Sequence, residues 1–267
     1  MSGKARMAKR TEIVPAKRRA MILDYLRSDG AASILELSEG INASDSTIRR
    51  DLDHLEENGY LERTHGGAIL LQQPGTTFER EPRLNAQLRL TEKERIGAAA
   101  VAHIRNHDSV IFDSSSTVFA AVHAAAQRGL TLTVITNSLE IAVFASGVPN
   151  WRVIVPGGTV RQGTKFLAGE QAISFFRELH ADLLFAGAFA VSSVGATDAS
   201  VEVAYVKRAM VASARRTVLL ADSSKFSDPG LCVFCQLSDV DTLITDSEVS
   251  AATVSEFKTN GLQVDPV

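Results

Sequence analysis

Cysteine is almost absent from this sequence. Cys232 and Cys235 are the two in 267 residues, too few for a disulfide framework and in keeping with a reducing compartment. Their C-x-x-C spacing has no second Cys or His pair to complete a tetrahedral zinc site, so no metal is expected, and Leu231 to Cys235 reads as a short buried strand. No apolar run of about 18 or more residues occurs, which excludes a membrane-spanning helix. The basic start is not followed by an apolar stretch with a small-residue cleavage site, so the expected location is cytoplasmic, with no membrane partner. Excess charge of one sign is lacking too. A net charge of −3 and a pI near 6.1 give no global attraction to nucleic acid, and any such binding must rest on local charge. No repeat with a period of about 20 to 50 residues is present, which excludes solenoids and propellers. Walker loops, HExxH runs and nucleophile–base arrangements are missing as well, so neither a catalytic residue nor a cofactor is expected.

What is present is a soluble balance, 45% hydrophobic and 22% charged, in a chain long enough for two domains of unequal size. The first nineteen residues carry Lys4, Arg6, Lys9, Arg10, Lys17, Arg18 and Arg19 against Glu12 alone, a basic stretch able to lie along phosphates. Residues 1–14 are read as a disordered arm, 15–71 as a small helical domain with a hairpin, 72–90 as a linker and 91–267 as an α/β domain. The linker reading rests on Gln72-Gln73-Pro74-Gly75-Thr76-Thr77, which has turn residues and no apolar period.

In the larger region, strand candidates at 109–113, 132–137, 151–156, 182–188, 218–222 and 242–246 alternate with helical patterns at 92–106, 117–128, 139–146, 168–179, 201–215 and 248–259. Runs such as Val110-Ile111-Phe112 are continuously apolar, as expected where helices cover both faces of a parallel sheet. The expectation is an open, Rossmann-like α/β domain whose ligand sits beyond the carboxyl ends of the strands.

In the smaller region, Ala20, Ile22, Leu23 and Leu26 mark a first helix. Ser33 caps a second, with Ile34, Leu35 and Leu37 as its apolar stripe. Ser44 is a plausible N-cap for a third, in which Ile48, Leu52 and Leu55 recur at i, i+4 and i+7 and turn Ser46, Arg49, Arg50 and Asp53 outward, with Thr47 beside them. Arginine can bond bidentately to guanine, and hydroxyls reach bases or phosphates, so this is the composition of a recognition helix. After Asn58-Gly59, the run 60–69 reads as a hairpin whose turn holds His65, Gly66 and Gly67; Arg63 and His65 of this wing would touch the DNA backbone or minor groove.

Ser44-Asp45-Ser46-Thr47-Ile48-Arg49-Arg50-Asp51-Leu52, then Leu55 to Gly59, then Arg63-Thr64-His65-Gly66-Gly67-Ala68, resemble the signature of the DeoR family of bacterial transcriptional regulators. The resemblance places Thr47, Arg49 and Arg50 on the recognition helix and the His-Gly-Gly run in the wing. It continues through Arg83, Lys93 and Ile96, Asp222 to Phe226, and Asp241 to Asp246. It implies double-stranded operator DNA as partner, a repressor of carbohydrate or polyol genes, and a dimer or tetramer.

In the α/β domain, Asp113-Ser114-Ser115-Ser116-Thr117 runs from a strand directly into a helix, and free N–H groups there favour an anion, although serines also cap helices for structural reasons. Thr136-Asn137-Ser138 and Pro156-Gly157-Gly158-Thr159 follow the next two strands, so polar and glycine-rich loops gather at one edge. This domain is similar in fold to sugar-phosphate isomerases and deaminases. The resemblance implies a phosphorylated sugar or polyol effector, bound by these loops with Lys207 and Lys225 as cations. The family often has glycine where Ser115 stands, and 189–198 is less typical than its flanks. The rival expectation is an isomerase or deaminase with an accessory DNA-binding domain, for which Asp113, Asp198 and Glu202 are the acid–base candidates.

Overall fold

The computed structural model describes residues 13–70, 82–259 and 261–267. The basic arm up to Glu12 and the stretch Gln72–Thr77 lie outside the described residues, as does the side chain of Arg83. The chain divides into two compact units, Met1–Pro74 with Arg83–Leu88, and Gly75–Pro82 with Arg89–Val267.

In the first unit, α1 (Pro15–Asp29) opens with proline at its first position, where the missing N–H costs nothing. Next comes β1 (Ala31–Ser33), which the sequence reading did not foresee. Ser33 and Glu36 then form a reciprocal capping box at the start of α2 (Ile34–Ile41), and Asn42 closes that helix in the left-handed conformation. Its buried face is Ile34, Leu37, Ser38 and Ile41. Leu35, expected in the stripe, is 61% exposed. It lies one position from Ile34, about 100° round the helix and off the face that 34, 37, 38 and 41 define.

The third helix, α3 (Asp45–Glu57), buries Ile48, Leu52 and Leu55 and is capped by Ser44, whose Oγ accepts from the Thr47 N–H. β2 (Leu61–Arg63) and β3 (Gly67–Leu70) form the wing, and β1 adds to β3 to make a three-stranded antiparallel sheet. Gly67 is required there, because a Cβ on it would lie 1.9 Å from the Ala32 carbonyl oxygen. The short α4 (Pro82–Gln87) supplies Leu84, which is buried together with Leu88.

The second unit begins with α5 (Leu90–Ala100) and continues through β4 (Ser109–Phe112), α6 (Ser116–Ala126), β5 (Leu132–Thr136), α7 (Leu139–Ser146) and β6 (Trp151–Ile154). A hairpin of β7 (Thr159–Val160) and β8 (Leu167–Ala168) leads to α8 (Glu170–Arg177) and β9 (Leu183–Gly187). Ala168, expected in that helix, lies in β8. β10 (Ala190–Ser192), β11 (Gly195–Asp198), α9 (Val201–Ser213), β12 (Thr217–Leu220), β13 (Cys232–Cys235), β14 (Thr242–Thr245), α10 (Ala251–Thr259) and β15 (Gln263–Pro266) complete it.

Among the described residues the main sheet has seven strands in the order β15-β14-β12-β9-β4-β5-β6, all parallel. Alternate residues of one strand serve opposite faces: Val110 and Phe112 join the core under α5 and α6, and Ile111 joins the one under α8 and α9. Cys232 and Cys235 sit on the strand of an antiparallel side sheet, β10-β11-β13, as free thiols. Burial pushes the Cys235 thiol up to about 12.

Candidate functional site

With one side of α3 committed to the core, Ser46, Arg49, Arg50 and Asp53 are exposed on the other. Ser44 is turned into the helix end. Its hydroxyl lies 3.0 Å from that of Ser46 and 2.8 Å from that of Thr47, so the cap also gathers both neighbouring hydroxyls. His65 and Gly66 form the exposed tip of the wing, and the Gly66 carbonyl accepts the Ile34 N–H at 2.9 Å.

Asp51 was missed by sequence reasoning. Its buried carboxylate receives Arg18 Nε at one oxygen and Arg19 Nε at the other, the latter at 3.0 Å. Arg18 also donates to the Ile13 carbonyl at 2.8 Å. A buried carboxylate requires counter-charge. Arg18 and Arg19, expected in the phosphate-facing stretch, are instead spent joining α1 to α3. The partners are about thirty residues away in sequence, so no local pattern marked them.

Arg63 likewise faces inward to its own unit. Its guanidinium pairs with Asp53 and reaches the Arg49 carbonyl at 3.5 Å, while its backbone N–H donates to Glu56 Oε1 at 2.9 Å.

In the second unit the chain runs from β4 to β5 and β6 on one side, then crosses to β9 on the other. The switch in direction therefore falls between β4 and β9, and at such a point the carboxyl ends of the strands diverge into a crevice. Asp113 follows β4 and bridges the gap, accepting from the Gly187 N–H at 2.8 Å through one oxygen and from the Ser115 N–H at 2.7 Å through the other. Lys207 of α9 closes the arrangement, donating to the Gly187 carbonyl at 2.9 Å and to Asp198 at 3.0 Å, and lying 3.4 Å from Asp113. Burial disfavours the ammonium, but Asp198 and Asp113 outweigh it and hold its pKa above the ordinary value.

Ser115 is the N-cap of α6 and its Oγ accepts the Val118 N–H, which leaves the Ser116 and Thr117 N–H groups without intrahelical acceptors. Gly187 makes room for that serine, since a Cβ there would stand 2.3 Å from Ser115 Oγ. Next to it, Ser138 caps α7 in the same way, and Thr136 Oγ1 accepts the Ser138 N–H at 3.0 Å. Two helix N-termini thus stand side by side at the ends of adjacent strands. Asn137, buried between the end of β5 and the start of α7, donates to the Leu167 carbonyl at 3.3 Å, and its Oδ1 has no partner among the described residues.

Three further expected residues are Gly157, Gly158 and Lys225. Gly157 is exposed, and Gly158 packs against the Ala168 carbonyl. Lys225 ends a 3₁₀ turn, 223–225, beside Asp222. Burial raises the Asp222 carboxyl, but Lys225, Ser224, Lys93 and Arg89 overcome it and leave the group below its ordinary value. Arg89, also missed, donates to Ser223 Oγ at 2.8 Å and pairs with Glu248 at 2.7 Å and Asp246 at 3.3 Å.

For acid–base chemistry the candidates are poorly placed. Asp113 and Asp198 share the single Lys207 cation, while Glu202 is mostly exposed and pairs with Arg161 at 3.1 Å.

Residues 18–74 match the family model of the DeoR-like helix-turn-helix domain, and 88–247 that of the DeoR C terminal sensor domain. The chain is 33% identical to the HTH-type transcriptional regulator GlpR of Haloferax volcanii, across 94% of this chain and 98% of that protein. It is 32% identical to the HTH-type transcriptional repressor GlcR of Bacillus subtilis, across 93% and 95%. Identity to the lactose phosphotransferase system repressor of Lactococcus lactis is 31%, across 90% and 94%. Ribose 5-phosphate isomerase A of Methanocaldococcus jannaschii shares 17% identity over 51% of this chain and 53% of its own, with a TM-score of 0.39, too slight a likeness to bear on function.

Proposed function

The chain belongs to the DeoR family of transcriptional regulators, and on that premise we propose that it is a cytoplasmic, homo-oligomeric repressor of carbohydrate or polyol genes. On this reading a phosphorylated sugar or polyol governs its hold on operator DNA. It is a DNA-binding regulator and not an enzyme, as its relatives are.

The observation that carries the effector reading is the pair of helix N-termini capped by Ser115 and Ser138 at the ends of β4 and β5. Backbone N–H groups and two aligned helix dipoles suit a phosphate. Lys207 is already neutralised twice over, so the anion is held by these N-termini and not by that lysine. Asn137 Oδ1, a buried acceptor with no protein donor among the described residues, takes a hydroxyl of the ligand. The same reading keeps Ser46, Thr47, Arg49, Arg50 and His65 as DNA-facing groups.

The test is fluorescence anisotropy with a duplex selected from a random pool by the full chain, repeated with a panel of sugar phosphates and polyol phosphates. At least one member is expected to shift the affinity, and the unphosphorylated sugars are not. A panel without effect on a duplex that binds tightly would remove the effector reading and leave DNA binding in place. By linkage, an effector that weakens DNA binding must itself bind the DNA complex less tightly by the same factor.

A further inference from the structure

From the contacts of Arg63 we infer that it is a positioning residue, which fixes the angle between wing and recognition helix, and not a phosphate contact. At its far side the wing is tied down where β3 pairs with β1 and the Gly66 carbonyl accepts the Ile34 N–H, and at its base the Tyr60 N–H donates to the Leu55 carbonyl of α3 at 2.9 Å and Leu61 is buried. On the side facing α3, Arg63 supplies three attachments: its guanidinium to Asp53, the same guanidinium to the Arg49 carbonyl, and its backbone N–H to Glu56.

The side chain is 21% exposed, and its Nε is buried. A cation meant for a phosphate keeps its head in water until DNA arrives; this one is folded onto the helix it follows in sequence. Asp53 gives the second half of the reasoning. It is 59% exposed on the face that carries Arg49 and Arg50, where an unpaired carboxylate would repel DNA. Pairing with Arg63 cancels that charge and converts it into a brace. An ion pair of this exposure contributes little to stability alone, so its effect is expected in the placement of the wing more than in the folding of the unit.

Two sets of expectations separate the roles. If Arg63 touches a phosphate, Asp53 competes with the DNA for it, and Asp53→Asn frees the guanidinium and tightens binding. If Arg63 is a brace, Asp53→Asn loosens the wing and weakens binding. The salt dependence divides them again, because each lost phosphate contact lowers the slope of log affinity against log salt by about 1.

The experiment measures affinity and salt slope for the full chain on the selected duplex with Arg63→Ala, Asp53→Asn and both together, with thermal melting as a check on folding. Each single variant is expected to bind about three- to tenfold more weakly. The double variant should be no weaker than Arg63→Ala and should keep the wild-type salt slope. Tighter or unchanged binding by Asp53→Asn overturns the inference, as does a slope lowered by about 1 in the double variant. Should Arg63→Ala fail to fold, Asp53→Asn decides alone, since its side chain is largely in water.

Discussion

The Lys207 ammonium lies 3.4 Å from Asp113 Oδ2 at the point where the sheet changes direction, and both side chains are buried. One cation there faces two carboxylates, Asp113 and Asp198. Removing it leaves two carboxylates without their counter-charge, Asp113 buried and Asp198 partly so. Lys207→Met is therefore expected to destabilise the second unit by about 3–5 kcal/mol, read from urea unfolding. A loss of less than about 0.5 kcal/mol, the range for surface substitutions, would show that the lysine is solvated and open to a ligand.

Ser115 and Gly187 are matched in the same crevice. Loss of the Ser115 cap in Ser115→Ala should cost about 1 kcal/mol. Gly187→Ala should cost about 1–3 kcal/mol, because its Cβ would meet Ser115 Oγ at 2.3 Å. In Ser115→Gly with Gly187→Ala the clashing atom is gone, so the pair should be more stable than the sum of the single changes. Strict additivity in denaturation midpoints would show that the two do not share this space.

Arg49 and Arg50 are exposed on α3, and alanine at either should weaken binding to the selected duplex by about 1–3 kcal/mol if it reads a base. Melting temperatures should not change. Asp51→Asn should do the reverse: it strands Arg18 and Arg19 against a neutral amide, lowers the melting of the first unit, and weakens DNA binding through unfolding. If Asp51→Asn bound more weakly at unchanged melting temperature, the residue would belong to the DNA surface instead.

Legibility followed distance along the chain. The Ser33 and Ser44 caps bond three residues away, and the parallel strands announce themselves by continuous apolar runs such as Val110-Ile111-Phe112; these were readable. β1 was not, because three residues of Ala-Ala-Ser have no period and become a strand only by pairing with β3. Leu35 misled because hydrophobicity alone does not say on which side of a two-turn helix the core lies. In the sensor unit the hydroxyl-rich loops were evident, but the Lys207–Asp113 pair joins residues far apart in sequence. Nothing local could reveal that the expected phosphate cation was already neutralised. Arg89 was hidden for the same reason, its partners Ser223, Asp246 and Glu248 lying at the far end of the chain.

Asp222 gives the stability of the second unit a definite dependence on acid. Its folded carboxyl titrates below the ordinary 3.8 even though burial opposes this, because Lys225, Ser224, Lys93 and Arg89 favour the anion. A depressed carboxylate contributes fully above its unfolded pKa, and the contribution is lost as pH falls through the folded value. Lys207 has the opposite sign: with its pKa raised above 10.5, its contribution is complete at neutral pH and is lost only in alkali. Between these limits neither group gives a slope, so the acid limb isolates the carboxylate. Asp222→Asn should therefore be less stable than the unmodified chain at pH 7, and the two should converge below about pH 4. One proton sets the limit, so the slopes of unfolding free energy should differ there by up to about 1.4 kcal/mol per pH unit. Asp182 is also depressed, by its hydrogen bonds from Ser109 first and by Arg215 and Arg216 after, but it is largely solvated and contributes less to the same limb. Parallel acid limbs in the two proteins would mean that Asp222 is not held as an anion by these cations, and the group around Arg89 would lose its electrostatic rationale.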